Sequence, residues 1–171
     1  MKLLVVVDMQ NDFVSGALGT REAADIVPYV VGKVVEAVNA GETVVFTQDT
    51  HNQDYLNTQE GRNLPVPHCV KGTEGWQIIS QLQEYTVGRV CVEKPTFGST
   101  ALAHLAAQGG YDEIELVGLC TDICVISNAM LLKAALPEAK ITVDSSCCAG
   151  VTPASHQNAL GAMKMCQIAV L

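Results

Sequence analysis

The sequence predicts an α/β protein: a parallel sheet with helices on both of its faces, a three-layer α/β/α arrangement. Two observations carry this reading. Short apolar runs rich in β-branched residues recur along the chain, and most are unbroken rather than alternating, as in strands covered on both sides. Segments with helical spacing separate these runs from end to end, which is the order a parallel sheet with crossover helices requires.

The first run, residues 3–7, is far too short to span a bilayer, lacks a small-residue cleavage site and meets Asp8 at once, so it reads as a buried strand. Helical spacing follows over 23–39, with Gly41 placed for a left-handed end. A second strand is predicted over 43–47. Residues 49–75 are polar, contain Pro65 and Pro67 and exceed an ordinary connection, which marks a loop with a job. A helix is expected over 76–83, opened by Trp76 packing under that loop, then a strand over 89–92. The pattern continues with a helix over 99–108 closed by Gly109 and Gly110, and a strand over 113–117. A helix over 122–135 is expected to be N-capped by Thr121 or Asp122. A strand over 141–143, a helix over 153–166 and a last strand over 168–171 complete the chain, with Cys147 and Cys148 expected after the fifth strand, near the rim. No repeat or linker interrupts the series, so residues 1–171 read as one domain.

Composition narrows the function. A chain of 171 residues with 49% hydrophobic and 16% charged residues can bury a sizeable core. Its net charge of −8 opposes binding to nucleic acid or an acidic membrane surface, both of which call for a basic face. Seven cysteines, an odd number outside any short secreted frame, read as reduced thiols of a cytoplasmic protein.

Sites on open parallel sheets gather at the carboxyl ends of strands. The residues just beyond the runs are Asp8, Asp49, Lys94 and the segment 118–124. Taken alone, Asp8 is a turn former and Lys94 a solvated surface group. Cys124 is alone a core thiol in register with Ile126 and Met130. Together they make chemical sense: a thiol needs a base, and an ammonium nearby holds thiolate and carboxylate ionised. A helix beginning near Thr121 would also lower the Cys124 pKa and offer N–H groups to an oxyanion.

Asp8, Lys94 and Cys124, set in Val-Asp-Met-Gln-Asn-Asp-Phe (residues 7–13) and Gly-x-x-Thr-Asp-x-Cys (residues 118–124), resemble the isochorismatase-like cysteine hydrolases, with nicotinamidases nearest. The resemblance runs over nearly the whole chain and implies a six-stranded parallel, Rossmann-like sheet. It implies Asp8 as general base, Lys94 as support and Cys124 as the nucleophile that forms a thioester while ammonia leaves. It further implies a cis peptide between Leu119 and Cys120, and an oxyanion site built from the backbone N–H groups of Cys120 and Cys124. Relatives commonly form dimers or tetramers.

The long loop holds Asp49, His51, Glu60 and His68, two imidazoles and two carboxylates suited to Zn, Fe or Mn. In nicotinamidases such residues hold a divalent metal beside the cysteine, which implies the same ligands here, with Cys69 a bystander. Phe13, Phe97 and Leu64 are the expected substrate contacts, although phenylalanines are core residues first. Many nicotinamidases carry an aromatic where this chain has the stretch around Leu64, which loosens the substrate from nicotinamide toward other small amides or carbamoyl compounds. Gln10 is expected either to orient Asp8 or metal waters or to bond the loop. Two rival classes stand beside the enzyme: a non-catalytic metal-binding module that uses Cys124 only for packing, and a redox sensor built on Cys120 and Cys124.

Overall fold

In the computed structural model, which describes residues 1–171, the first apolar run becomes strand β1 (Lys2–Val7) at the centre of a six-stranded sheet. The others are β2 (Thr43–Asp49), β3 (Cys91–Lys94), β4 (Glu113–Leu119), β5 (Lys140–Ala149) and β6 (Ala169–Val170). All pairings are parallel, in the order β3-β2-β1-β4-β5-β6. The helices are α1 (Asn11–Val14), α2 (Arg21–Asp25), α3 (Val27–Asn39), α4 (Gln59–Asn63), α5 (Ser80–Thr86), α6 (Thr100–Gly109), α7 (Ile126–Ala135) and α8 (Pro153–Met165).

The unbroken run in β1 has a simple cause. Successive side chains point to opposite faces, and both faces are covered. Leu4 and Val6 join Val30 and Val34 of α3 and Leu82 of α5 in one core. Leu3, Val5 and Val7 join Leu102 of α6, Leu132 of α7 and Met163 of α8 in the other. Each core lies between the sheet and one helical layer, which gives the three layers. At about 25 cal/mol per Å2 of apolar surface, burying each such side chain contributes roughly 1.5–3 kcal/mol before chain entropy is counted. No helix is long and apolar enough to cross a membrane, and all seven cysteines are free.

Several boundaries depart from the sequence pattern. The predicted helix over 23–39 is two helices that meet at Ile26, and Pro28 lies in the first turn of α3, where its missing N–H costs nothing. The strand predicted over 89–92 begins at Cys91 and runs on to Lys94. The helix predicted from Trp76 begins only at Ser80; Trp76 lies in the preceding turn, where its indole donates to Thr50 Oγ1 at 3.0 Å. Gly41 and Gly110 do take left-handed conformations, but Gly109 is the last residue of α6.

Strand β5 is the largest departure, running to Ala149 where an end near 143 was expected. The polar triplet Asp144-Ser145-Ser146 reads as a loop, yet Lys33 of α3 meets the Asp144 carboxylate at 2.8 Å and Ser145 N–H donates to Leu171. Cys147 and Cys148 therefore lie inside the strand, buried in opposite cores, not after it at the rim.

Strand order reverses between β1 and β4, and the crevice beyond their carboxyl ends is where ligands of such sheets sit. Gly118 makes that join possible. A side-chain carbon there would fall 2.1 Å from the Val7 carbonyl oxygen, so only glycine lets β4 lie against β1 at this level.

Candidate active site

Four strand ends bring the sequence-predicted residues together. Asp8 follows β1, Asp49 ends β2, Lys94 ends β3, and Cys120 follows β4. Asp8 has φ +47°, a left-handed conformation that costs a non-glycine residue on the order of 1 kcal/mol. Thr47 offsets this: its hydroxyl donates to Asp8 Oδ1 at 2.6 Å and accepts from the Asp8 N–H at 3.2 Å. The turn aims the carboxylate into the crevice, with Oδ2 at 2.6 Å from Lys94 Nζ.

Lys94 is buried and its ammonium is the hub of the site. Besides Asp8, Nζ reaches Cys124 Sγ at 3.4 Å, Asp49 Oδ1 at 3.4 Å and the Thr96 carbonyl at 3.1 Å. Burial alone would lower its pKa, but the charges of Asp8, Cys124 and Asp49 outweigh that and hold it above the usual lysine value. Asp8 moves up from its ordinary value, because burial outweighs the pull of Lys94 and Asp49 adds its own charge.

Cys124 lies in a turn of π-helix over Thr121–Val125 that leads into α7. Its N-cap is Cys120, with no side-chain cap, so neither Thr121 nor Asp122 plays the capping role expected of them. Instead the Thr121 hydroxyl meets His156 Nδ1 at 2.7 Å, and the Asp122 carboxylate accepts from the Val151 N–H at 3.1 Å. The wide turn converges the N–H groups of Ile123 and Val125 on the Cys120 carbonyl and leaves Cys124 out of that pairing. The Leu119–Cys120 peptide is cis, and the Cys120 N–H has no acceptor in the protein. Asn128 fixes the turn from the next one, donating to the Cys124 carbonyl at 2.8 Å and the Phe97 carbonyl at 3.1 Å.

The expected depression of the Cys124 pKa is reversed. Burial and then the charge of Asp8 push the thiol well above its ordinary value, and Lys94 opposes them without prevailing. The helix end cannot compensate in full because the sulfur is buried. Burial thus favours the protonated form of the sulfur, beside a carboxylate that can take the proton.

Asp49, His51, Glu60 and His68 also converge, their ligand atoms all within 4.8 Å of one another. His51 Nε2 lies 3.0 Å from Asp49 Oδ2 and 3.5 Å from Glu60 Oε1; His68 Nε2 lies 3.5 Å and 3.8 Å from the same two atoms. His68 Nδ1 faces the Val66 carbonyl at 2.8 Å, which accepts only, so a ring proton sits there and Nε2 is the atom turned toward the carboxylates, where a cation would replace any proton it carries. Two imidazoles and two carboxylates at this spacing fit a divalent ion of the zinc, iron or manganese type. Burial pushes Asp49 upward, but its bonds to His51 and His68 and the Lys94 charge hold it far below the carboxylate range. Cys69 stays outside this cluster, its N–H held by Asp12 Oδ2 at 2.8 Å.

A cavity of about 50 Å3 at the thiol is lined by Cys124, Asp49, Glu60 and His68 together with Phe13, Leu64 and Phe97, so the expected contacts meet there. Leu18, Cys120 and Ile123 complete it with apolar surface. The Gln10 side chain reaches neither the Asp8 carboxylate nor the metal-binding atoms; it pairs with the backbone N–H and carbonyl of Asp49 at 2.7 and 2.9 Å and donates to the Trp76 carbonyl at 2.8 Å, so it bonds the loop. Thr47, Tyr55, Asn128, Leu18 and Ile123 had escaped the sequence reading. Tyr55, its ring centred 4.7 Å from that of His51 and edge-on 5.0 Å from that of His68, follows from nothing in its neighbourhood of sequence. A hydroxyl at Thr47, level with the end of an apolar strand, was the one available signal.

The family model described as the isochorismatase domain matches residues 2–171. The chain is 31% identical over 141 residues to an isochorismatase family protein of Bacillus subtilis, covering 75% of this chain and 76% of that one. It is 29% identical over 144 residues to the nicotinamidase/pyrazinamidase of Mycobacterium tuberculosis, covering 75% and 77%. The crystal structure of the Pyrococcus horikoshii pyrazinamidase in complex with zinc superposes with a TM-score of 0.86 at 26% identity, over 99% of this chain and 98% of that one.

Proposed function

The chain belongs to the isochorismatase family, and on that premise we propose that it is a cysteine-dependent amide hydrolase, deamidating a small carboxamide of the nicotinamide type through a thioester. The observation that carries this reading is the single ammonium of Lys94 in reach of both the Asp8 carboxylate and the Cys124 sulfur. Neither a binding module nor a redox sensor needs a buried base and cation arranged around one thiol.

The chemistry balances with these residues alone. Asp8, its proton affinity raised by burial, takes the Cys124 proton as sulfur attacks the amide carbon, and Lys94 carries the positive charge that both anionic partners need. The oxyanion rests on the N–H groups of Cys120 and Cys124. Asp8 returns its proton to nitrogen, the carbon–nitrogen bond breaks and ammonia leaves a thioester. Asp8 then takes a proton from water as its oxygen attacks the thioester carbon. The carbon–sulfur bond breaks, the acid leaves, and Asp8 reprotonates Cys124.

Asp49, His51, Glu60 and His68 would hold a divalent ion. Such an ion supplies a Lewis-acid anchor for a polar atom of the substrate. The test is ammonia release from a panel of nicotinamide, pyrazinamide and carbamoyl compounds; no ammonia from any of them, with metal present, would reject the reading.

A further inference from the structure

The cavity at the thiol is far smaller than the roughly 300–1,000 Å3 usual for a ligand pocket. A second space adjoins it. Phe13, Leu18, Leu64, Cys120 and Ile123 also line a second cavity of about 320 Å3, which continues between α2 and the chain just after β5. Its further walls are Ala23, Leu119, Gly150, Val151 and Thr20. The Thr20 hydroxyl already accepts from the Ala23 N–H at 3.0 Å, and the Cys120 thiol is pushed by burial up to about 12, so no wall offers a charge. Asp49, Glu60 and His68 of the metal-binding cluster line the first cavity and not this annex.

We propose that the annex is a further acyl-group subsite: besides compact carboxamides of the nicotinamide type, the enzyme takes primary amides whose carbonyl sits at Cys124 and whose extended, uncharged apolar tail lies along Leu18, Leu119, Ile123 and Val151. This rests on the hydrolase reading above and names its substrate class. The five walls shared with the reactive chamber select the substrate's own tail as occupant. Leu64, half-exposed, stands at the boundary of both cavities, where a flat aromatic wall would favour a ring.

Binding and turnover separate the two claims. On Cys124→Ala protein, calorimetric titration with straight-chain primary amides from acetamide to octanamide should show the Kd fall about two- to fourfold per buried methylene. Adipic acid monoamide, a tail ending in carboxylate, should lose that gain. Val151→Trp at the annex rim, and independently Ala23→Leu in its wall, should flatten the chain-length dependence. A flat series in the parent protein, or a series that neither variant flattens, overturns the annex. A flat series in a protein whose sedimentation shows self-association reversed by Val151→Trp assigns the cavity to a second copy and equally overturns it. Chain-length-dependent binding without ammonia release from any amide by the Cys124-containing protein leaves the annex standing and sinks the hydrolase.

Discussion

Lys94 Nζ lies 3.4 Å from Asp49 Oδ1, while the other oxygen of that carboxylate lies 3.0 Å from His51 Nε2. One side chain thus belongs to both halves of the site. The Asp8–Lys94–Cys124 group and the histidine–carboxylate cluster are electrostatically one unit, and Gln10 holds the shared residue by its backbone.

The sulfur is the first thing to remove. Cys124→Ala should lower ammonia release by about 1,000-fold or more, because no other group forms the acyl intermediate. The lost atom leaves only a small void, so thermal stability should change by about 1 kcal/mol or less. Turnover retained in this variant refutes the thioester route.

Asp8→Asn keeps the shape of the side chain and its contact with Thr47 but removes the base. Because the Asp8 charge helps to raise the Cys124 pKa while Lys94 lowers it, alkylation of Cys124 by iodoacetamide at pH 7 should quicken about tenfold even as ammonia release falls, while Cys91 and Cys166, both exposed, react as before. Mass spectrometry of the peptides reads all three. Unaltered labelling would mean that the Asp8 charge does not set the thiol's proton affinity, and unaltered ammonia release that Asp8 does not take its proton.

Lys94→Met strands two buried carboxylates, Asp8 and Asp49, without their cation. Leaving a buried charge unpaired costs on the order of 3–5 kcal/mol. Chemical denaturation should show a loss of that order, and activity should vanish with it. A denaturation midpoint equal to the parent's would show that the ammonium is not what holds the two anions.

Asp49→Ala and His51→Ala should each lower bound metal, measured by mass spectrometry of the dialysed protein, from about one ion per chain toward zero. Dialysis of the parent against a chelator, followed by return of zinc, iron or manganese, should remove and restore the ion. Undiminished metal in both variants would place the ion elsewhere.

Far from the site, Lys33 binds Asp144 at 2.8 Å and Glu115 at 3.0 Å across the layer between α3 and the sheet. Burial pushes Asp144 up, but its bonds to Lys33 and Ser146 prevail and hold it below its ordinary value of 3.8. A depressed carboxylate stabilises the fold fully above its unfolded pKa and loses that contribution as pH falls through the folded value. The loss should therefore fall below about pH 4 and be on the order of 1 kcal/mol. Lys33→Met should remove it, and thermal melts between pH 5 and pH 2 that are parallel in parent and variant would contradict the assignment.

The β1 run, the strand-end positions of Asp8 and Lys94, and the grouping of His51 with His68 were legible because each is a local pattern read against one rule about open sheets. Strand β5 was not, since its polar middle is made acceptable by Lys33, a residue 111 positions before Asp144. The same holds for Thr47 and Asn128, whose partners Asp8 and Phe97 lie 39 and 31 positions away.

Residue identity alone determined which chemistry was available: a thiol, a base, a cation and four metal-binding side chains, in an order that only a parallel sheet brings to one edge. Tertiary structure decided the rest. Proton affinity depends on burial and on the summed field of neighbours, so a cysteine expected to have its pKa lowered at a helix end has it raised instead. The extent of the cavity depends on surfaces contributed by α1, α2, β4 and the chain after β5, and no spacing along the sequence encodes the space left between them.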